Sequence, residues 1–232
     1  MANVVVTGAN RGIGLEFVRQ LLRRGDRVWA GVRYPETSRE LMAWARQHGP
    51  ETLSVLPLDV TNEAHQANLF ATLSSSAVDL FINNAGVYGP KPDRLGVTDT
   101  AAWIETLRIN TIAPRQLVEG LLPALRRSER PRIALLTSKM GSMEDNGSGG
   151  AYIYRSSKAA LNAVGKSLAE DLGSDGIVTL MLHPGWVRTD MGGPHAEIDV
   201  SESVTALLRI IDGAGAADNG RFIDVDGSTI PW

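Results

Sequence analysis

The chain has 232 residues, 43% of them hydrophobic, a formal net charge of -3 and no cysteine. That length suits one α/β domain with a single large core, and charges scattered without a basic block exclude nucleic acid as an expected partner. The lack of cysteine excludes disulfides, thiolate metal sites and a thiol nucleophile, and fits the cytoplasm.

Short β-branched runs alternate with segments of helical period, the pattern of βαβ units around a parallel sheet. The first strand, Val4 to Thr7, follows an N-terminus without a basic flank or long apolar region, so neither secretion nor membrane insertion is expected. Thr7-Gly-Ala-Asn-Arg-Gly-Ile-Gly14 then turns that strand into a helix from Gly12. Further strands are expected at Arg27 to Val32, Thr52 to Leu56, Leu80 to Asn83, Arg132 to Thr137, Val178 to His183 and Phe222 to Val225. Most are nearly unbroken apolar runs, as strands covered on both faces should be. The intervening helices follow Thr37, Thr61, Thr98, Ala151 and Ser201, several with a Thr or Ser able to cap the first turn. The segment from Thr98 to Leu125 reads as one long element, and a glycine-rich loop, Gly141 to Gly150, precedes the Ala151 helix. No linker interrupts the series, so residues 1–232 are read as a single doubly wound domain of Rossmann type, with seven strands and helices on both faces.

Gly8, Gly12 and Gly14 fall where strand becomes helix, so that backbone amides can approach a pyrophosphate at the positive helix end, with Asn10, Arg11 and Ile13 lining the same turn. The spacing G-x-x-x-G-x-G departs from the general dinucleotide fingerprint G-x-G-x-x-G. At the end of the second strand, where an acidic residue would accept hydrogen bonds from an adenosine ribose, the chain has Val32-Arg33. Arg33 and Arg11 suit a 2'-phosphate, which predicts NADPH over NADH; the alternative is two solvated surface charges. Asp59-Val60 can place a carboxylate beside the adenine, or Asp59 can cap the Thr61 helix. Asn83-Asn-Ala-Gly86, with Asn83, Ala85 and Gly86 as cofactor candidates, closes the fourth strand at the ligand-binding edge of the sheet, though a plain turn has the same composition.

Tyr154 and Lys158 lie four apart in Tyr154-Arg-Ser-Ser-Lys158, on one face of a helix. Reduction of a carbonyl needs a proton donor, and an ammonium about 4 to 5 Å from a phenol is expected to lower its pKa by a few units at an effective dielectric near 20. Ser138, closing the fifth strand, can polarise the carbonyl, while Thr137 should point to the opposite face. Pro114 removes an amide four residues after Asn110, which leaves the Asn110 carbonyl free to hold a water.

These residues, together with Pro184-Gly-Trp-Val-Arg-Thr189, resemble the short-chain dehydrogenase/reductase family in family order over essentially the whole chain. The resemblance implies a cofactor half (about 1–110) and a catalytic and substrate half (about 111–232). It implies Tyr154 as acid/base, Lys158 as the residue that lowers its pKa and binds the nicotinamide ribose, Ser138 as the carbonyl-orienting group and Asn110 as support for a relay water. It also assigns Pro184, Gly185, Val187 and Thr189 to the nicotinamide end. Within the family, Gly149-Gly-Ala-Tyr152 and Thr189-Asp-Met-Gly-Gly-Pro194 are similar to C-factor-like and sniffer-type carbonyl reductases. The longer spacing between Ser138 and Tyr154 fits that subgroup.

The substrate is expected to be a small carbonyl or alcohol compound, a ketone, aldehyde or quinone, in an open pocket walled by Tyr88, Met140, Trp186 and Met191. Each of these could instead be simple packing. The small and apolar residues along the Tyr154 helix, with the resemblance, imply a homodimer or homotetramer. A cofactor-binding regulatory protein of C-factor type is the alternative. A sugar-nucleotide epimerase would need a larger C-terminal region, and the four isolated histidines give no metal-ligand spacing.

Overall fold

The computed structural model describes all 232 residues and contains seven parallel strands in the order β3-β2-β1-β4-β5-β6-β7. These are β1 (Asn3–Thr7), β2 (Arg27–Val32), β3 (Leu53–Pro57), β4 (Leu80–Asn83), β5 (Arg132–Leu136), β6 (Val178–Leu182) and β7 (Phe222–Ile223). The order reverses between β1 and β4, so the crevice at their carboxyl ends is the site-forming edge of the sheet.

Period-two alternation divides the strand residues between two cores. Val4, Val6, Val28, Ala30, Leu80, Ile82, Leu180 and Leu182 pack on one face, with Phe17 and Leu21 of α1 (Gly12–Arg23), Leu41 of α2 (Arg39–His48) and Leu207 and Ile211 of the last helix, Val200–Gly213. Val5, Trp29, Phe81, Ile133 and Leu135 pack on the other, against α3 (Glu63–Thr72), α5 (Ala113–Leu125) and α6 (Tyr152–Leu172). Strands buried on both faces have no polar side to show, which is why their sequences read as apolar runs.

The segment expected as one helix from Thr98 to Leu125 is two, α4 (Thr100–Leu107) and α5, joined by a π turn at Arg108–Ile112. Pro114 has no N–H to give the carbonyl of Asn110, and the ladder widens so that Ala113 N–H reaches the Arg108 carbonyl instead. The chain therefore has seven α-helices, the last being α7 (Val200–Gly213), where six were expected. Several caps also shift by one or two residues. Asn62 rather than Thr61 accepts from the first turn of α3, Asp99 rather than Thr98 caps α4, and the Asp199 that precedes α7 is occupied by Arg188. The expected ends of β5 and β6 retract, leaving Thr137, Ser138 and His183 just beyond the strands.

Candidate active site

A cavity of about 530 Å³ opens at the carboxyl edge of the sheet, walled by the turns that follow β1, β2, β3, β4, β5 and β6. At one end lies the glycine turn. Gly8 and Gly12 hold positive φ angles of 65° and 53°, a region costly for residues with a Cβ. A Cβ on Gly14 would sit 2.2 Å from the Gly8 carbonyl oxygen, so this glycine does not line the cavity but lets the helix pack against the turn. Gly8, Asn10, Arg11, Gly12 and Ile13 form the wall itself. The exposed first amides of α1 and the lack of side chains make a cradle of the shape and polarity that a pyrophosphate requires.

Arg33 stands exposed on the same wall, flanked by Tyr34 and Thr37, which sequence reasoning did not single out. Arg11 is instead paired with Asp190 from the segment after β6, an ion pair that spans the mouth of the cleft. Asp59 both lines the cavity and organises its own turn: Thr61 donates to its carboxylate from N–H and hydroxyl at 2.9 and 2.8 Å. Burial works to raise the Asp59 carboxyl, but those two hydrogen bonds, with Arg33 and His65 nearby, outweigh it and hold the group below the usual carboxylate range. Val60, Ala85 and Gly86 complete this part of the wall, joined by Ile109 from the π turn and Glu105 from α4.

Asn83 is not on the wall. It is buried at the end of β4, whereas Asn84 lines the cavity and donates to the carbonyls of Thr7 and Gly8 at 3.0 and 3.1 Å. The sequence shows two adjacent asparagines; strand parity decides which one reaches the glycine turn, and only the second does.

Tyr154 and Lys158 project from α6 into the other end of the cavity, both nearly fully buried. The Lys158 ammonium donates to the Leu136 carbonyl at 2.8 Å and lies 5.7 Å from the centroid of the Tyr154 ring. Ser138 sits beyond β5 as the cap of a short turn; its oxygen accepts from Met140 N–H at 3.1 Å, and the hydroxyl faces the Tyr154 phenol. Thr137, expected to point to the opposite face, lines the cavity where Ser138 does not, and its hydroxyl donates to the Lys158 main-chain carbonyl at 3.4 Å. Asn110, fully buried, is a clamp: its carboxamide accepts from Val87 N–H at 2.9 Å and donates to the Val87 carbonyl at 2.8 Å and to Ser157 at 3.0 Å.

The expectation that Lys158 lowers the Tyr154 pKa is corrected here. Burial is the largest influence on the phenol and raises it, the Ser138 hydroxyl works against that, and Tyr88 adds to it; the result is about 12. Burial also pushes Lys158 down to about 8. Each group sits in a low-dielectric wall that penalises its charged form, and the ammonium is turned toward Leu136 rather than the phenol.

Of the residues expected at the nicotinamide end, Pro184 and Thr189 line the cavity, while Gly185 and the buried Val187 support the segment from behind, Val187 bridging to Ile198. Among the four expected substrate contacts, only Met191 reaches the wall. Tyr88 stacks instead on Tyr154, ring centroids 4.6 Å apart. Trp186 donates to the Gly192 carbonyl at 2.8 Å, closing a tight turn, and Met140 lies outside the cavity with its carbonyl accepting from Arg155.

The sequence matches the short chain dehydrogenase family over residues 2–198. The chain belongs to the short-chain dehydrogenase/reductase family. It is therefore an NAD(P)-dependent oxidoreductase. It is 47% identical over 164 residues to the C-signal protein of Myxococcus xanthus, an alignment covering 70% of this chain and 98% of that protein. Its fold superposes on the carbonyl reductase Sniffer of D. melanogaster with a TM-score of 0.95 and 34% identity, each chain covered completely. The NADPH-bound carbonyl reductase from chicken fatty liver gives a TM-score of 0.92 at 34% identity, with 100% of this chain and 99% of that one covered. No helix is long and apolar enough to cross a membrane.

Proposed function

We propose that this enzyme is a carbonyl reductase that prefers NADPH to NADH and reduces small ketones, aldehydes or quinones with Tyr154 as the proton donor. The observation that carries this reading is one cavity joining a glycine cradle and the exposed Arg33 at one end to Tyr154 and Lys158 at the other, with the Ser138 hydroxyl facing the Tyr154 phenol from just outside the wall.

Gly8, Gly12 and the amides of α1 would hold the pyrophosphate, Asp59 and Val60 the adenine, Arg33 a 2'-phosphate, and Lys158 with Pro184 and Thr189 the nicotinamide half. When bound, the reduced nicotinamide supplies a hydride. Ser138 orients the substrate oxygen by donating a hydrogen bond. Tyr154, with a phenol near 12, stays protonated at working pH and gives its proton to the oxygen as alkoxide character develops, since an alkoxide is a stronger base than that phenolate. Asn110 holds the Val87 backbone against α6 and thereby fixes the floor on which Lys158 sits.

The turn from Trp186 to Gly193 is compact: Gly192 N–H donates to the Thr189 hydroxyl and Gly193 N–H to its carbonyl, at 3.1 and 2.8 Å. A short cover of this kind supports an open pocket and loose specificity. The half-buried Ala160 and Val164 and the exposed Ala163 on the outer side of α6 support a homodimer or homotetramer. The likeness to C-signal supports a regulatory role as the second reading, but binding alone would not require Tyr154 beside Lys158. The test is a panel of carbonyl substrates with NADPH and NADH. Tyr154-dependent oxidation of NADPH supports the reading; binding of coenzyme with no oxidation by any substrate removes it in favour of the regulatory one.

A further inference from the structure

The N-terminus of α6, which carries Tyr154 on its first turn, has no cap of its own. The preceding residue, Ala151, lies at φ 47° and ψ 44° and offers no side-chain acceptor. Exposed amides at a helix start need partners, and here they come from far away in the chain. Asp93, in the loop between β4 and α4, accepts from Ile153 N–H through its carboxylate at 2.7 Å and from Ala151 N–H through its main-chain carbonyl at 3.0 Å. The other carboxylate oxygen accepts from the Thr98 hydroxyl at 3.0 Å, which fixes its orientation. Between Pro90 and Val97 every residue is exposed except Asp93, which is half-buried against the helix.

The same loop meets the reacting group directly. Tyr88 stacks on Tyr154, Lys91 lies 4.5 Å above the outer face of Tyr88, and Gly89 approaches Ile153 so closely that a Cβ would lie 2.9 Å from its side chain. Loop and helix thus touch at Ala151, Ile153 and Tyr154, three points within four residues.

We infer that Asp93 is a positioning residue for the reaction: by capping α6 from the β4–α4 loop it sets the orientation of Tyr154 and of the Tyr88 ring stacked on it. This rests on the reading of Tyr154 as proton donor. Asp93 lies outside the cavity wall, and its carboxylate is taken up by Ile153 N–H and the Thr98 hydroxyl. Its loss should alter how well the phenol is aimed, not how tightly coenzyme binds.

The experiment compares Asp93→Ala and Asp93→Asn with the full-length wild type in kcat, KM for a carbonyl, Kd for NADPH, and backbone hydrogen exchange across residues 151–155. Because sub-ångström aim at a reacting centre is worth one to two orders of magnitude, Asp93→Ala should lower kcat about tenfold while Kd for NADPH stays within about twofold. Asp93→Asn, which keeps an acceptor for Ile153 N–H, should recover most of the loss, and exchange at Ile153 should quicken in the alanine variant alone. Wild-type kcat in Asp93→Ala overturns the inference. So does parallel loss of kcat, NADPH affinity and thermal stability with no recovery in Asp93→Asn, the signature of a loop that merely fails to fold. Should the wild type show no Tyr154-dependent turnover, the reading of Tyr154 falls, and the exchange pattern still decides whether Asp93 holds the helix.

Discussion

The charge states of Tyr154 and Lys158 decide what the site can do at a given pH. With Lys158 near 8 and Tyr154 near 12, the phenol keeps its proton through the ordinary range while the ammonium loses its own. Carbonyl reduction should therefore show kcat/KM that is level below about pH 8 and falls above it as Lys158 is neutralised, which a pH–rate profile would record. The same burial bears on stability. Lys158 has a folded value near 8 against about 10.4 in the unfolded chain, so the unfolded state binds more protons between those values and wild-type stability rises with pH across that window. Lys158→Met should be more stable than wild type at pH 7, on the order of 1 to 3 kcal/mol by urea denaturation, with the gain shrinking as pH rises through the window. Arg33 gives a separate prediction. A charge-assisted contact to a 2'-phosphate contributes about 1.5 to 3 kcal/mol, so Arg33→Asp should cut NADPH preference over NADH by roughly ten- to a hundredfold in kcat/KM. These residues were legible because their chemistry depends on type and spacing alone. The direction of the Tyr154 shift was not, because it depends on walls contributed by other elements.

Among elements, the π turn at Arg108–Ile112 is where sequence pattern and structure part company. Hydrophobic period carries straight through from Thr98 to Leu125, and of the two prolines in that segment Pro114 marks the break while Pro123 sits inside α5. Pro114 pointed to the Asn110 carbonyl, whereas the hydrogen bonds the structure shows for this residue come from its side chain, the carboxamide pairing with both main-chain groups of Val87. Removing it takes the partner from the N–H and C=O of half-buried Val87 and from the buried Ser157 hydroxyl, so Asn110→Ala should lose about 1 to 3 kcal/mol of stability in urea titration and most of its activity. Strand ends and helix starts were readable to within a few residues, since apolar runs bounded by turn residues set them. Which of several neighbouring Asp, Asn or Thr residues caps a helix was not, because the choice turns on backbone angles that each of them tolerates. Asp93 was beyond reach altogether, its partner Ile153 lying 60 residues further on.

At the scale of the whole molecule, the parallel order with its reversal between β1 and β4 gathers turns from six strands around one crevice. The fold class and the crevice follow from alternating strand and helix periods, and the glycine turn locates its cofactor end. The cover over this end was not legible: Tyr88, Met140, Trp186 and Met191 are equally plausible wall residues by type, and only the tertiary arrangement separates Met191 on the wall from Tyr88 stacked on Tyr154. Assembly through α6 predicts a dimeric or tetrameric mass by light scattering at micromolar concentration, and a monomeric mass contradicts it.

The most direct test is turnover by Tyr154→Phe beside wild type, with NADPH affinity measured on the same samples. Loss of general acid catalysis predicts kcat lower by about 10² to 10⁴ with Kd for NADPH nearly unchanged. Wild-type turnover in the phenylalanine variant would contradict the account.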